Sequence, residues 1–208
     1  MTKLLSEQLR PTSFDEITLP DHIKSRLINM YNTKKVMNML FYGKPGSGKT
    51  TAARIFTNSD NFDSITINGS IENGIDEIRY KINNFATACS LIQNHKICFI
   101  DEADYLTKNA QAALRGVVES TSNNCRFIFT ANELKKIHPA LCSRLIPICF
   151  DMTMNQTVNQ LESYTKRLFD TLTKDAVTFN EDRVKRIVQM NFPDYRLISN
   201  SIEFEFYN

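Results

Sequence analysis

Gly43, Lys44, Pro45, Gly46, Ser47, Gly48, Lys49 and Thr50 satisfy the spacing GxxxxGK[ST] in full. Residues of these types in this order suit the phosphates of a nucleotide. Glycines let the backbone approach phosphate oxygens or take positive φ, Lys49 offers a cation to the β and γ phosphates, and the Thr50 hydroxyl can ligate magnesium. The motif follows an apolar run ending at Tyr42 and opens "KTTAARIF", a helical segment that includes Thr51. Strand, loop and helix in that order turn a helix N-terminus and several loop amides onto one anion.

Further along, "KICFIDEAD" ends an apolar run in two adjacent carboxylates, Asp101 and Glu102. They suit different tasks: Asp101 can hold the water shell of a magnesium ion, and Glu102 can orient or deprotonate an attacking water. Alone, the same acids would also fit the start of a helix. The run "RFIFTAN" ends in Asn132, whose amide can hydrogen-bond a water or the γ-phosphate, although asparagine is also a common turn residue.

These residues need elements to hold them. The apolar runs "VMNMLFY" (36–42), "SITIN" (64–68), "KICFID" (96–101), "RFIFTA" (126–131) and "LIPICF" (145–150) predict five strands. Between them, helical spacing relates Ile75, Ile78, Ile82, Phe85, Leu91 and Ile92, and then Ala110, Ala113, Leu114 and Val117. Alternating strands and helices, with strands apolar almost throughout, predict an α/β fold whose parallel sheet is covered on both faces. Ligands of such sheets gather at the carboxyl ends of the strands. Behind Phe150 the pattern changes to three helices, marked by Val158, Leu161, Leu168 and Leu172, then Val184, Ile187 and Val188, then Leu197, Ile198 and Ile202. A boundary near residue 151 is expected, dividing a nucleotide-binding core (1–150) from a small all-helical unit (151–208). Only the closing "EFEFYN" leaves room for a strand in the second part.

Composition narrows the functional classes. A net charge of +2 is too small to announce a nucleic-acid partner, so any DNA contact must be local. The cysteines Cys89, Cys98, Cys125, Cys142 and Cys149 form no CxxC pair and mostly sit in apolar runs, which predicts buried, reduced thiols. With His22, His95 and His138 they show no zinc-ligand spacing. No apolar run is long enough for a membrane span, and "MTKLLSEQLRPTSF" lacks the uninterrupted apolar stretch of a signal peptide. A cytoplasmic protein is expected.

Taken in order, "LRPTSFDEI", the phosphate loop, "INGSIENGIDEIRYKINNFA", "IDEADYLTKNAQAALRGVVE", "FTAN", "CSR" and "FPDYR" make the chain resemble the AAA+ clamp-loader ATPases. These comprise the small subunits of replication factor C and the phage-type loader ATPase subunit, and the resemblance covers nearly the whole chain. It implies a P-loop AAA+ core with a five-stranded parallel sheet, a helical lid, and ATP with Mg2+ as cofactors. It also implies assembly- and DNA-stimulated hydrolysis, with other loader subunits in a ring or spiral, a sliding clamp and primer-template DNA as partners. On the family pattern Arg10 and Pro11 lie beside the adenine, Lys49 and Thr50 meet phosphate and magnesium, and Asp101 and Glu102 form the Walker B pair. Asn132 falls at the first sensor and Arg196 at the second. Arg144, in "LCSRLIP", falls where the family sends an arginine finger into a neighbouring subunit's ATP.

Arg79, Lys81, Thr107 and Lys108 fall on the helices that the family lays along a duplex backbone, where contacts follow phosphates without reading bases. Leu145 stands where relatives carry cysteine, and Gly116 where many carry a second arginine. Relatives continue into a helical collar that is not expected here, implying a partial chain or another mode of assembly. Two other readings stay open at this level: a different replication AAA+ ATPase such as a helicase loader, and a module that binds nucleotide without hydrolysing it. For a phage protein the working place would be the cytoplasm of the bacterial host.

Overall fold

All five apolar runs form strands: β2 (Ser64–Asn68) and β3 (Lys96–Asp101) with the expected bounds, β1 (Met39–Tyr42) and β5 (Ile146–Cys149) trimmed, and β4 (Cys125–Ala131) one residue longer. The computed structural model describes residues 4–17, 19–72, 74–88, 96–151 and 154–207; Cys89, Leu91, Ile92 and His95 lie outside them. The strands make one sheet in the order β2-β3-β4-β1-β5, and every neighbouring pair is parallel. β4 therefore lies between β3 and β1, so the segments that follow these three strands emerge side by side.

Alternation along each strand divides the core in two. Leu40, Ile67, Cys98, Ile100, Phe127 and Phe129 point to one face, beneath α4 (Ile75–Thr87) and α5 (Lys108–Ser120), and pack on Ile78, Ile82, Leu114 and Val117. Met39, Phe41, Ile97, Phe99 and Ile128 point to the other face. There they meet Ile23 and Leu27 of α2 (Asp21–Asn32) and Ala52, Ala53 and Phe56 of α3 (Lys49–Thr57). β5 is an edge strand, and Pro147 within it has no N–H to offer a further strand.

Helical spacing behind Phe150 becomes α7 (Met154–Lys174), α8 (Glu181–Asn191) and α9 (Tyr195–Phe206), preceded by the four-residue α6 (Pro139–Cys142). The closing segment is a correction to the sequence reading, because "EFEF" continues α9 rather than forming a strand. Ile198, Ile202 and Phe206 recur every four residues and share one helix face, which outweighs the local alternation of Glu and Phe. Asn180 and Asp194 cap α8 and α9 through their side-chain oxygens.

A third core cluster joins these helices to the start of the chain. Leu5 and Leu9, from α1 (Leu5–Gln8) and its cap, bury against Leu168, Leu172, Val184, Val188, Ile198 and Ile202. The cysteines divide rather than sharing one environment. Cys98 and Cys125 are buried, and burial pushes both thiols up, Cys125 to about 11, whereas Cys142 and Cys149 are only half-buried.

Because Leu5 is fully buried, Leu5→Ala is expected to cost about 2–5 kcal/mol in denaturant unfolding. A loss near zero would mean that α1 does not pack as described.

Candidate functional site

The loop after β1 curls so that the Gly43 and Lys44 carbonyls face the Lys49 side chain. Gly43, Gly46 and Gly48 all take positive φ, and Gly48, at +95°, caps α3. At Gly46 (φ +75°) a side chain is also excluded by space, since a Cβ would lie 2.0 Å from Asp194 Oδ1. Lys49, only 7% exposed, turns its Nζ back to donate to the carbonyls of Gly43 and Lys44, each at 2.7 Å. Burial pulls its ammonium below the usual lysine range, and the carboxylates of Asp151, Asp104 and Asp101 partly oppose that. The Lys44 amide donates to Asp151 Oδ1 at 2.8 Å, which anchors the loop to the second residue after β5.

Asp101 closes β3 within reach of the same loop. Thr50 Oγ1 donates to Asp101 Oδ1 at 3.0 Å, and Thr130 Oγ1, from β4, donates to the same oxygen. The next residue, Glu102, has φ +56° and ψ +44°, a left-handed conformation uncommon for a side-chain-bearing residue, and its amide donates to Thr130 Oγ1 at 2.9 Å. Asn132, just past β4, donates its amide to Asp104 Oδ2 at 3.1 Å.

These groups line a cleft of about 600 Å³. Its floor is Pro45, Gly46, Gly48, Lys49, Thr50 and Thr51, one wall is Asp101, Glu102, Asp104, Thr130 and Asn132, and Arg196 approaches from α9. The far wall is made of Leu9, Arg10, Pro11 and Ile17 with Tyr164, Arg167 and Ser199. Arg10 pairs with Glu7 at 2.8 Å, and Arg167 holds Glu16 through its carboxylate and carbonyl. Burial pushes the Tyr164 phenol up to about 12. The helices behind β5 touch the phosphate loop directly, since the Tyr195 amide donates to Gly46 O at 3.3 Å.

The donor set suits a nucleotide with a hard cation. Ser47 Oγ and Asp104 Oδ1 are buried without a partner among the described residues, a positive-φ loop opens at a helix N-terminus, and Thr50 Oγ1 and Asp101 Oδ1 lie side by side. A triphosphate's negative charge would meet the Lys49 ammonium, the loop amides and Arg196.

Of the expected residues, Gly43, Lys44 and Ser47 belong to the loop without lining the cleft, and five more lie away from it. Arg144 precedes β5, at the amino edge of the sheet, where the Ile146 amide donates to Asn38 O. Its guanidinium grips Glu119 Oε1 at 2.5 and 2.6 Å, Arg115 shares that carboxylate, and together they hold it below the usual range. Leu145 beside it is buried in the cluster under α4 and α5. Arg79 and Lys81 are exposed on α4, where Lys81 pairs with Glu72 and Glu77 at 2.6 and 2.9 Å. Thr107 caps α5 by accepting from the Ala110 amide, and Lys108 donates to Lys136 O at 3.1 Å.

Sequence reasoning missed Asp104, Thr130, Asp151, Asp194, Tyr164 and Arg167. For Asp151 and Asp194 a positional signal existed, one following the fifth apolar run and the other preceding a helix.

Fold and site together are those of a P-loop α/β protein whose sheet is followed by three helices. The solved RuvB Holliday junction branch migration motor of Thermotoga maritima has the same fold, with a TM-score of 0.72 over 92% of this chain and 63% of that one at 21% identity. Residues 39–152, more than half of the chain, match the ATPase family associated with various cellular activities (AAA), and the chain belongs to that family. The replication factor C small subunit of Archaeoglobus fulgidus is 34% identical over 95% of this chain and 62% of its own length. That of Methanosarcina barkeri is 35% identical over 95% of this chain and 59% of its own. The chain thus spans about three fifths of the length of these relatives.

Gly46→Ala is expected to force the loop from Asp194 and to cost at least about 1–2 kcal/mol from the left-handed backbone alone. Thermal unfolding and titration with a fluorescent ATP analogue would both show the loss; wild-type behaviour in both would contradict the described contact.

Proposed function

We propose that the chain is the ATP-hydrolysing motor subunit of a DNA sliding-clamp loader. The observation that carries this reading is a separation. The cleft at the carboxyl edge of the sheet gathers the phosphate loop, two acids, Asn132 and Arg196, whereas Arg144 stands at the amino edge. Four residues of β5 at roughly 3.3 Å each lie between the two edges. Arg144 is therefore turned away from its own cleft and suited to that of a neighbour. Similarity to replication factor C small subunits over 95% of the chain supports the same conclusion.

In this reading Lys49 and the loop amides bind the β and γ phosphates, and Arg10 and Pro11 border the base. Thr50 and Asp101 would hold magnesium, which, when bound, neutralises charge on the phosphates and fixes their geometry. Glu102 orients the attacking water and accepts its proton at the carboxylate, Asn132 holds that water or the γ-phosphate, and Arg196 carries the lid onto the phosphates. Residues 1–150 form the motor core and 151–208 the lid, with α1 packed into the lid's core. Arg144 leaves Glu119 to complete a neighbour's site. The Arg144–Glu119 pair is exposed, so its loss costs little when assembly offers a phosphate instead.

Arg79, Lys81, Thr107 and Lys108 would follow the phosphates of primer-template DNA once Lys81 and Lys108 leave their intrachain partners. Other loader subunits in a ring or spiral, and a sliding clamp, complete the partners. The working place is the cytoplasm, that of the bacterial host for a phage protein. Among the described residues no helix is long and apolar enough to cross a membrane.

Lys49→Ala is expected to abolish ATP affinity in a binding titration; unchanged affinity would remove the site assignment. Arg144→Ala should leave binding intact and lower turnover in the assembled loader by about 10³- to 10⁵-fold. Retained turnover would place the finger elsewhere.

A further inference from the structure

We propose that Thr130 is the positioning residue that sets both acids of the site, a role that rests on the reading of Asp101 and Glu102 given above. Thr130 is 2% exposed on β4, and its hydroxyl makes two contacts of opposite sense: it accepts from the Glu102 amide and donates to Asp101 Oδ1. A hydroxyl carries one proton, and an amide can only donate. The proton of Thr130 is thereby committed to Asp101, and its lone pair to Glu102.

One side chain thus controls two different things. At Asp101 it fixes the carboxylate's rotamer, occupying Oδ1 together with Thr50. At Glu102 it holds the backbone, whose φ of +56° costs energy and needs support from outside. In the proposed reading Thr50 also faces a cation, so Thr130 is the donor to Asp101 that can be changed without touching a metal-binding oxygen. Removing the hydroxyl while keeping the shape should free the Asp101 rotamer, orphan the Glu102 amide and let that turn relax.

Thr130→Val keeps the volume and loses the hydroxyl; Thr130→Ser keeps the hydroxyl. Two readouts are needed on the full chain, with folding followed by circular dichroism. The first is the affinity for a fluorescent ATP analogue with Mg2+ and with EDTA, whose ratio reports metal coupling without hydrolysis. The second is steady-state turnover in the assembled loader. Thr130→Val is expected to lower both the affinity ratio and kcat by about 10- to 100-fold, with KM moved far less, while Thr130→Ser stays within about twofold of wild type. Should the valine variant unfold, Thr130→Cys replaces it, since a thiol is a poor donor and acceptor, and the same contrast with serine is expected. A valine or cysteine variant with wild-type coupling and kcat would overturn the proposal, as would a serine variant that fails like valine. If no protein turns over, wild type included, yet valine still loses metal coupling, the hydrolytic reading fails and the positioning role of Thr130 stands.

Discussion

Burying the ammonium of Lys49 is the constraint around which the site is arranged. A cation taken out of water must be surrounded by acceptors, or its removal costs several kcal/mol. Here the Gly43 and Lys44 carbonyls bond it directly, and the carboxylates of Asp151, Asp104 and Asp101 favour its charged form. To turn those two carbonyls inward the loop must pass through backbone conformations that favour glycine. To bring three carboxylates near one ammonium, the ends of β3 and β5 must flank the end of β1. The strand order provides this, with β5 beside β1 on one side and β4 then β3 on the other. The same curl ends at Gly48, the cap of α3, so the geometry that satisfies the lysine also sets a helix N-terminus beside the cleft.

The second constraint is the joint between the loop and the helices behind β5. Gly46 leaves no room beside Asp194, and the same glycine's carbonyl accepts from the Tyr195 amide. Asp194 in turn caps α9, which carries Arg196 into the cleft. A phosphate that shifts the loop must therefore bear on α9. The far wall is set by α1, whose Leu5 and Leu9 lie in the same apolar cluster as α7, α8 and α9 while Glu7 and Arg10 face the cleft. Motion of that cluster would carry the far wall of the cleft with it.

Much of this was legible in the residues, for physical reasons that also explain the gaps. Strands buried on both faces must be apolar almost throughout, so the five runs stood out. The phosphate loop and the acids of β3 were visible because their chemistry demands fixed types at fixed spacing. Thr130 was not, because a single threonine near a strand's end carries no pattern, and although Asp151 follows the fifth run, only the fold brings these two to Asp101 and Lys44. α1 escaped notice because one turn of helix shows no periodicity, and its place is decided by Leu5 and Leu9 finding a distant core. At the C-terminus a period of two in "EFEF" competed with a period of four through Ile198, Ile202 and Phe206, and the longer apolar face prevailed. Arg10, Pro11 and Arg196 were expected in the site through resemblance alone, and the fold brings all three to the cleft.

The central claim is that the cleft of one chain is completed by Arg144 of another. Mixing Lys49→Ala chains, which keep the arginine but cannot hold ATP, with Arg144→Ala chains, which hold ATP but lack the arginine, tests it most directly. ATP turnover should be absent from each variant assembled alone and return in the mixture, where intact clefts meet intact arginines. A mixture as inactive as its components, or full turnover by the Arg144→Ala chain alone, would contradict it.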